Sequence, residues 1–293
     1  MKTFKDRVAV ITGAASGIGR AMTERFAAEG MKVVLADVEA QALSKAEQEL
    51  RDQGATTLSV VTDVSKADQV EALAQKTLET FGAVHIVCNN AGVAAGGLSW
   101  SQPLADWEWL IGVNLWGVIH GVRTFVPILL DQKTEGHVVN TASMAGLLSG
   151  PFATIYNVTK HGVVTLSESL YQELALQNAP VTVSVLCPGF VKTNILDSDR
   201  NRPEQLQASE SPGDEAAQAM RAAFRVFIDQ GMPPTQVAEK VFNAVRDEQF
   251  YILPHPEFLA PLQTRMEDIL AQRNPTMVSF DPNALTRTKS SGS

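Results

Sequence analysis

Tyr156 and Lys160 stand four residues apart in a stretch, Thr154 to Gln177, that reads as one helix, so both side chains project from the same face. A free tyrosine, with a pKa near ~10, is a poor base at neutral pH, but an ammonium group beside it favours the phenolate and lowers that value. Such a pair can carry a proton to and from a reacting oxygen. Taken alone, the spacing fits a solvated pair on a helix surface equally well. Ser143 changes the weighing. It falls just past a strand, at the sheet edge where ligands bind in doubly wound folds, and its hydroxyl can donate to a substrate oxygen on which charge develops. Asn114 lies inside an expected helix, where asparagine is a poor former and needs another task.

The elements that must gather these side chains alternate along the whole chain. Val8–Thr12 is an apolar run without polar alternation, as a strand buried on both faces requires. Further strands are expected at Lys32–Ala36, Thr57–Val61, His85–Cys88, His137–Thr141, Val181–Leu186 and Phe250–Leu253, each preceded by a helical stretch. Gly30, Gly54 and Gly82 stand where helix C-termini favour a left-handed residue. The pattern predicts an α/β chain with one doubly wound Rossmann domain, a parallel sheet of about seven strands with helices on both faces. No linker or internal repeat divides it. The domain is expected over 1–272, with a polar, mobile substrate-loop insertion at about 193–232 and a flexible tail over 273–293.

Between the first strand and first helix lies Thr12-Gly13-Ala14-Ala15-Ser16-Gly17-Ile18-Gly19. Glycines there let the backbone turn sharply and approach a pyrophosphate resting on the positive helix end, although turn glycines are common in any fold. Asp37 follows the second strand, 24 residues after Gly13. A carboxylate there can accept both hydroxyls of an adenosine ribose and repel a 2′-phosphate; the alternative is a helix N-cap. Ser16 and Val38 are uncharged where a 2′-phosphate reader would carry Arg or Lys, and Arg20 is the nearest basic side chain. NAD is therefore expected over NADP, with NADP possible. Asp63-Val64 ends the third strand, where the carboxylate can meet an adenine amino group or cap the next helix. Asn90, Ala91 and Gly92 end the fourth strand, where an amide can brace the sheet and small residues let a cofactor pass.

Composition narrows the partners. With 24 basic and 32 acidic side chains the formal charge is −8, which disfavours nucleic acid or an anionic membrane surface. Cys88 and Cys187 sit in apolar runs, and no Cys/His cluster suggests a metal. No 18-residue apolar run is read as spanning a bilayer, and the amino terminus has no signal-peptide core, so a cytoplasmic setting is expected.

Taken together, these motifs resemble the short-chain dehydrogenase/reductase family: Thr-Gly-x-x-x-Gly-Ile-Gly at 12–19, Asn-Asn-Ala-Gly at 89–92, Asn114, Ser143, Tyr-x-x-x-Lys at 156–160, and Pro188-Gly189 with Thr193. Each is modest alone; their joint occurrence in order is specific. The resemblance implies a catalytic tetrad of Asn114, Ser143, Tyr156 and Lys160, and hydride transfer between a nicotinamide cofactor and an alcohol or ketone. Lys160 would also hold the nicotinamide ribose, Asn114 would pass protons to solvent through a bound water, and Pro188, Gly189, Val191 and Thr193 would lie near the nicotinamide carboxamide. The oxidised cofactor's positive ring would lower the Tyr156 pKa further.

Apolar residues flank the expected chemistry: Met144, Leu147, Leu148 and Phe152 on one side, Val93 to Leu98 and Ile195 to Gln230 on others. The expected substrate is an uncharged, fairly hydrophobic secondary alcohol or ketone. A non-catalytic NAD-binding regulator, or an epimerase or dehydratase, are the competing readings. His161 and the four tryptophans are read as packing residues. Many family members end soon after the last strand, whereas this chain continues for about forty residues, with a possible helix over Glu257–Ala271. A homodimer through the helices bearing Asn114 and Tyr156 is expected over a tetramer.

Overall fold

The computed structural model describes residues 1–207 and 215–277. Seven strands form one sheet in the order β3-β2-β1-β4-β5-β6-β7, and every neighbouring pair is parallel. The strands are β1 Val8–Thr12, β2 Lys32–Asp37, β3 Thr57–Val61, β4 Ile86–Asn89, β5 Gly136–Thr141, β6 Val181–Leu186 and β7 Tyr251–Ile252. The order reverses after β3, so β1 and β4 lie side by side and the crevice between their carboxyl ends is the topological switch point. Every residue of β1, β4 and β5 is buried, which is why these runs lack polar alternation.

Two apolar layers cover the sheet. On one side α1 (Gly17–Ala28), α2 (Ala40–Asp52) and α8 (Pro234–Asp247) pack through Met22, Phe26, Leu43, Leu50, Val241 and Phe242. The other side is closed by α3 (Ala67–Phe81), α5 (Gly117–Asp131) and α6 (Thr154–Leu176), through Val70, Leu73, Phe125, Leu129, Leu170 and Leu174. A single continuous helical rod, Leu104–Asp131, contains α4 (Leu104–Leu110), a π-helical turn (Ile111–Trp116) and α5. By length and composition alone this rod would qualify as a membrane-crossing run, which the sequence reading did not find. Its Leu110, Val118, Phe125 and Leu129 pack instead into the core.

Two short 3₁₀ segments, Ile195–Asn201 and Glu204–Leu206, follow β6. Residues 208–214 of the expected insertion lie outside the described residues. Beyond them α7 (Glu215–Asp229) returns to the body, and its Phe227 and Ile228 are buried. After β7 a 3₁₀ turn, Pro256–Phe258, leads into α9 (Leu259–Leu270); of the expected tail, residues 278–293 are outside the described residues.

Candidate active site

The carboxyl ends of β1, β2, β4, β5 and β6 open into one cleft of about 1620 Å³. Its floor begins at the β1–α1 turn. Gly13 has φ +67°, and a Cβ on Gly19 would stand 2.0 Å from the Gly13 carbonyl oxygen, so the turn closes this tightly only without side chains. Ser16 precedes α1 in extended conformation and makes no capping bond, and no acidic residue sits in the first turn. No acidic residue of α1 itself neutralises the positive helix end, which suits it to a pyrophosphate.

Asp37 bounds the far end. One carboxylate oxygen accepts from the Ala15 N–H at 2.9 Å and the other from the Glu39 N–H at 3.0 Å, tying β2 to the glycine turn. Burial raises its pKa and these backbone bonds hold it down, with the net direction upward. Arg20 turns away to Glu24 and Glu49, at 2.7 and 3.1 Å. Asp63 does not cap α3, whose N-cap is Lys66; its Oδ1 closes a local turn instead, accepting from the Ser65 backbone N–H at 2.9 Å and from the Ser65 hydroxyl at 2.7 Å. It and Val64 still line the cleft.

At the centre, Thr12 and Asn90 lace three strand ends together. The Thr12 hydroxyl accepts from the N–H groups of Asn90 and Ala91 at 2.9 and 3.1 Å, and the Asn90 amide donates to the Thr12 carbonyl at 3.0 Å. The Thr141 hydroxyl donates to Asn90 Oδ1 at 3.3 Å. Gly92 is hemmed in: a Cβ there would lie 3.3 Å from Asn114 Oδ1 and 3.6 Å from Lys160 Nζ.

Ser143, Tyr156 and Lys160 converge on this region. Lys160 is 3% exposed; its Nζ donates to the Thr141 carbonyl at 2.9 Å and lies 5.5 Å from the centre of the Tyr156 ring. Burial pushes its pKa down to about 8. The Tyr156 pKa moves opposite to the sequence expectation. Burial of the phenol raises it, and the Ser143 hydroxyl pulls it back only in part. Lys160, with its Nζ 5.5 Å from the ring centre and donating to Thr141, makes no hydrogen bond to the phenol that would offset this. The Ser143 hydroxyl donates to the Pro188 carbonyl at 3.3 Å and accepts from the Ala145 N–H at 3.1 Å.

Asn114 sits in the π turn, fully buried, behind the cleft wall. Its amide accepts from the Val93 N–H at 2.8 Å and donates to the Val93 carbonyl at 2.9 Å, clamping the loop after β4. Beyond β6, Pro188, Gly189, Val191 and Thr193 line the cleft, and the Thr193 methyl would meet a Cβ on Gly17 at 3.1 Å. Thr193 thus packs over the glycine turn.

The cleft's substrate end is apolar. Met144, Leu148 and Phe152 face it, as do Val93 and Trp109; Leu147 instead packs toward the core. Arg200, Asn201, Phe224 and Phe227 fall in the 195–230 stretch expected as a wall, whereas Phe258 is a lining residue that the sequence reading missed. Phe190 stacks on Phe227 at 4.8 Å and meets Phe224 and Phe258 at 5.9 Å each. Arg200 and Asn201 reach Glu39 at 2.8 Å each, and Arg202 pairs with Asp106 at 2.7 Å while lying 4.3 Å over the Trp109 ring.

Residues 7–204 match the family model described as short chain dehydrogenase. The chain belongs to the short-chain dehydrogenase family. It is 48% identical to a short-chain dehydrogenase/reductase from Burkholderia phymatum whose crystal structure is in complex with NAD, with a TM-score of 0.94, covering 96% of this chain and 100% of that one. A "CLA biosynthesis dehydrogenase/reductase" of Lactiplantibacillus plantarum is 35% identical over 96% of this chain and 99% of its own length. An actinorhodin polyketide ketoreductase variant solved with NADPH is 30% identical, with a TM-score of 0.71 over 86% of this chain and 97% of that one. As a short-chain dehydrogenase/reductase the chain is an oxidoreductase with a nicotinamide-binding Rossmann fold acting on small molecules.

Proposed function

We propose that the chain is an NAD-dependent alcohol dehydrogenase or ketoreductase for an uncharged, largely apolar secondary alcohol or the matching ketone. The observation that carries this reading is the convergence of Tyr156, Ser143 and Lys160 on the cleft that also holds the glycine turn and ends in an apolar wall.

A bound nicotinamide cofactor supplies the hydride acceptor or donor. Gly13, Ser16, Gly17, Ile18 and Thr193 would hold its pyrophosphate, and Asp37 its adenosine ribose, with Asp63 and Val64 beside the adenine. Asn90, Ala91 and Gly92 would let it pass, and Pro188, Gly189 and Val191 would flank the nicotinamide. Tyr156 takes the proton from the alcohol oxygen in oxidation and returns it in reduction. Ser143 donates to the same oxygen, exchanging its 3.3 Å bond to Pro188 for one to the substrate. Lys160 spends one N–H on Thr141 and keeps others for ribose hydroxyls. The Asn114 amide, engaged on Val93, would hold the loop after β4 in place beside the cofactor.

Two features support NAD over NADP. Asp37 presents a carboxylate at the β2 end, and Arg200, the cation nearest that carboxylate's neighbour Glu39, is neutralised by it at 2.8 Å. A homodimer is supported by Trp116 and Val158, 48% and 47% exposed beside Asn114 and Tyr156 on the two helices.

A spectrophotometric screen of secondary alcohols and ketones with each cofactor tests the reading. Tyr156→Phe is expected to lower turnover by about 10²–10⁴-fold while NADH binding persists. Unchanged turnover in that variant removes Tyr156 from its role.

A further inference from the structure

His255 is a buried histidine, unused by the chemistry above, that bonds two residues lining the cleft, Gly189 and Phe190. It follows β7, between Pro254 and Pro256, and is 4% exposed. Its Nδ1 accepts from the Gly189 N–H at 3.0 Å, and its Nε2 lies 2.9 Å from the Phe190 carbonyl. A carbonyl can only accept, so Nε2 carries the proton and the ring is the neutral tautomer. The contact is close by construction. A Cβ on Gly189 would lie 3.0 Å from His255 Cγ and 2.5 Å from the Phe258 ring. Phe258 meets the imidazole edge-on at 6.2 Å, and the Met232 N–H gives the Phe190 carbonyl its second donor at 3.0 Å.

We propose that His255 is a positioning residue, whose neutral ring holds the 188–190 turn in its cofactor-binding shape and whose protonation lets that turn go. Protonated, Nδ1 would carry an N–H directed at the Gly189 N–H, turning an attraction into a donor–donor clash. The same turn lines the cleft at Pro188 and Gly189 and presents Phe190 to the aromatic wall, so both ends of the reaction feel it. Burial disfavours the cation and holds the His255 pKa below the ordinary histidine range. The charges bearing on the ring are Glu257, which favours protonation, and Lys240 on α8, which opposes it. The inference rests on the NAD reading above.

The test is NADH binding, followed by fluorescence on the intact protein from about pH 8 to about pH 5. The native chain is expected to lose about tenfold in affinity toward the acid end. His255→Asn places a non-titrating acceptor near the Nδ1 position and should bind NADH with far less dependence on pH. His255→Phe, which offers neither bond, should bind about tenfold more weakly at neutral pH. Protonation of Asp37 would act on the native chain and the asparagine variant alike, so the difference between their profiles isolates His255. If His255→Phe does not fold, the asparagine profile decides. Parallel profiles for the native chain and His255→Asn overturn the proposal and leave the oxidoreductase reading standing. Absence of NADH binding at every pH overturns the NAD reading and this proposal with it.

Discussion

Replacing Lys160 by methionine should stabilise the cofactor-free protein while abolishing its proposed activity. The ammonium is 3% exposed and its one protein hydrogen-bond acceptor is the Thr141 carbonyl. Its pKa is held at about 8, against 10.5 for an ordinary lysine. At about 1.36 kcal/mol per tenfold in proton affinity, burying that charge costs the native state about 3 kcal/mol. The direction with pH follows from proton counting. Below about pH 8 the lysine is charged in both folded and unfolded chains, and the full cost applies. Between about 8 and 10.5 only the unfolded chain binds the proton, so native stability rises with pH. Methionine fills nearly the same space but leaves the Thr141 carbonyl short of a donor, which returns about 1 kcal/mol or more. The expected net gain at pH 7 is about 1–2 kcal/mol, shrinking and changing sign by about pH 10. Urea denaturation of both proteins without cofactor, at several pH values across this interval, measures it. A stability difference that stays constant with pH, or a variant weaker than the native chain at pH 7, refutes the argument.

Other outcomes follow from contacts already described. Asp37→Ser should raise the preference for NADP over NAD by at least about tenfold in kcat/KM, read from initial rates with each cofactor. Gly19→Ala drives a methyl to 2.0 Å from the Gly13 carbonyl and should cost about 3 kcal/mol in urea denaturation, with NADH binding lost even where the fold survives. Asp106→Asn weakens the Arg202 pair that holds the 3₁₀ segments against Trp109; Asp199 remains as a partner, so the cost is about 1–2 kcal/mol. Limited proteolysis should then cut between Ile195 and Leu206 faster than in the native chain.

The parts of this fold that could be read from sequence are those whose cause is local. β1 showed as Val8–Thr12 because both its faces are covered, and Gly82 marked the end of α3 by adopting φ +75°. Tyr156 and Lys160 were legible because one helix carries both. What could not be read depends on partners distant along the chain. The π turn lies inside an unbroken apolar run, and nothing local announces that Asn114 must reach back to Val93. α8 ends on Glu248 at φ +56°, a left-handed position without the glycine that would signal it. His255 has no motif around it; its partners are more than sixty residues earlier. The upward direction of the Tyr156 pKa follows from burial, which residue spacing does not report.

Arg200 and Asn201 both grip Glu39, two residues beyond the Asp37 carboxylate, although they belong to the segment that also walls the apolar end of the cleft. One strap therefore crosses the whole length of the cleft. Those two bonds tie the 3₁₀ segment Ile195–Asn201 to the residues that follow β2. A single acidic side chain at one end of the cleft thus anchors the segment that walls the other.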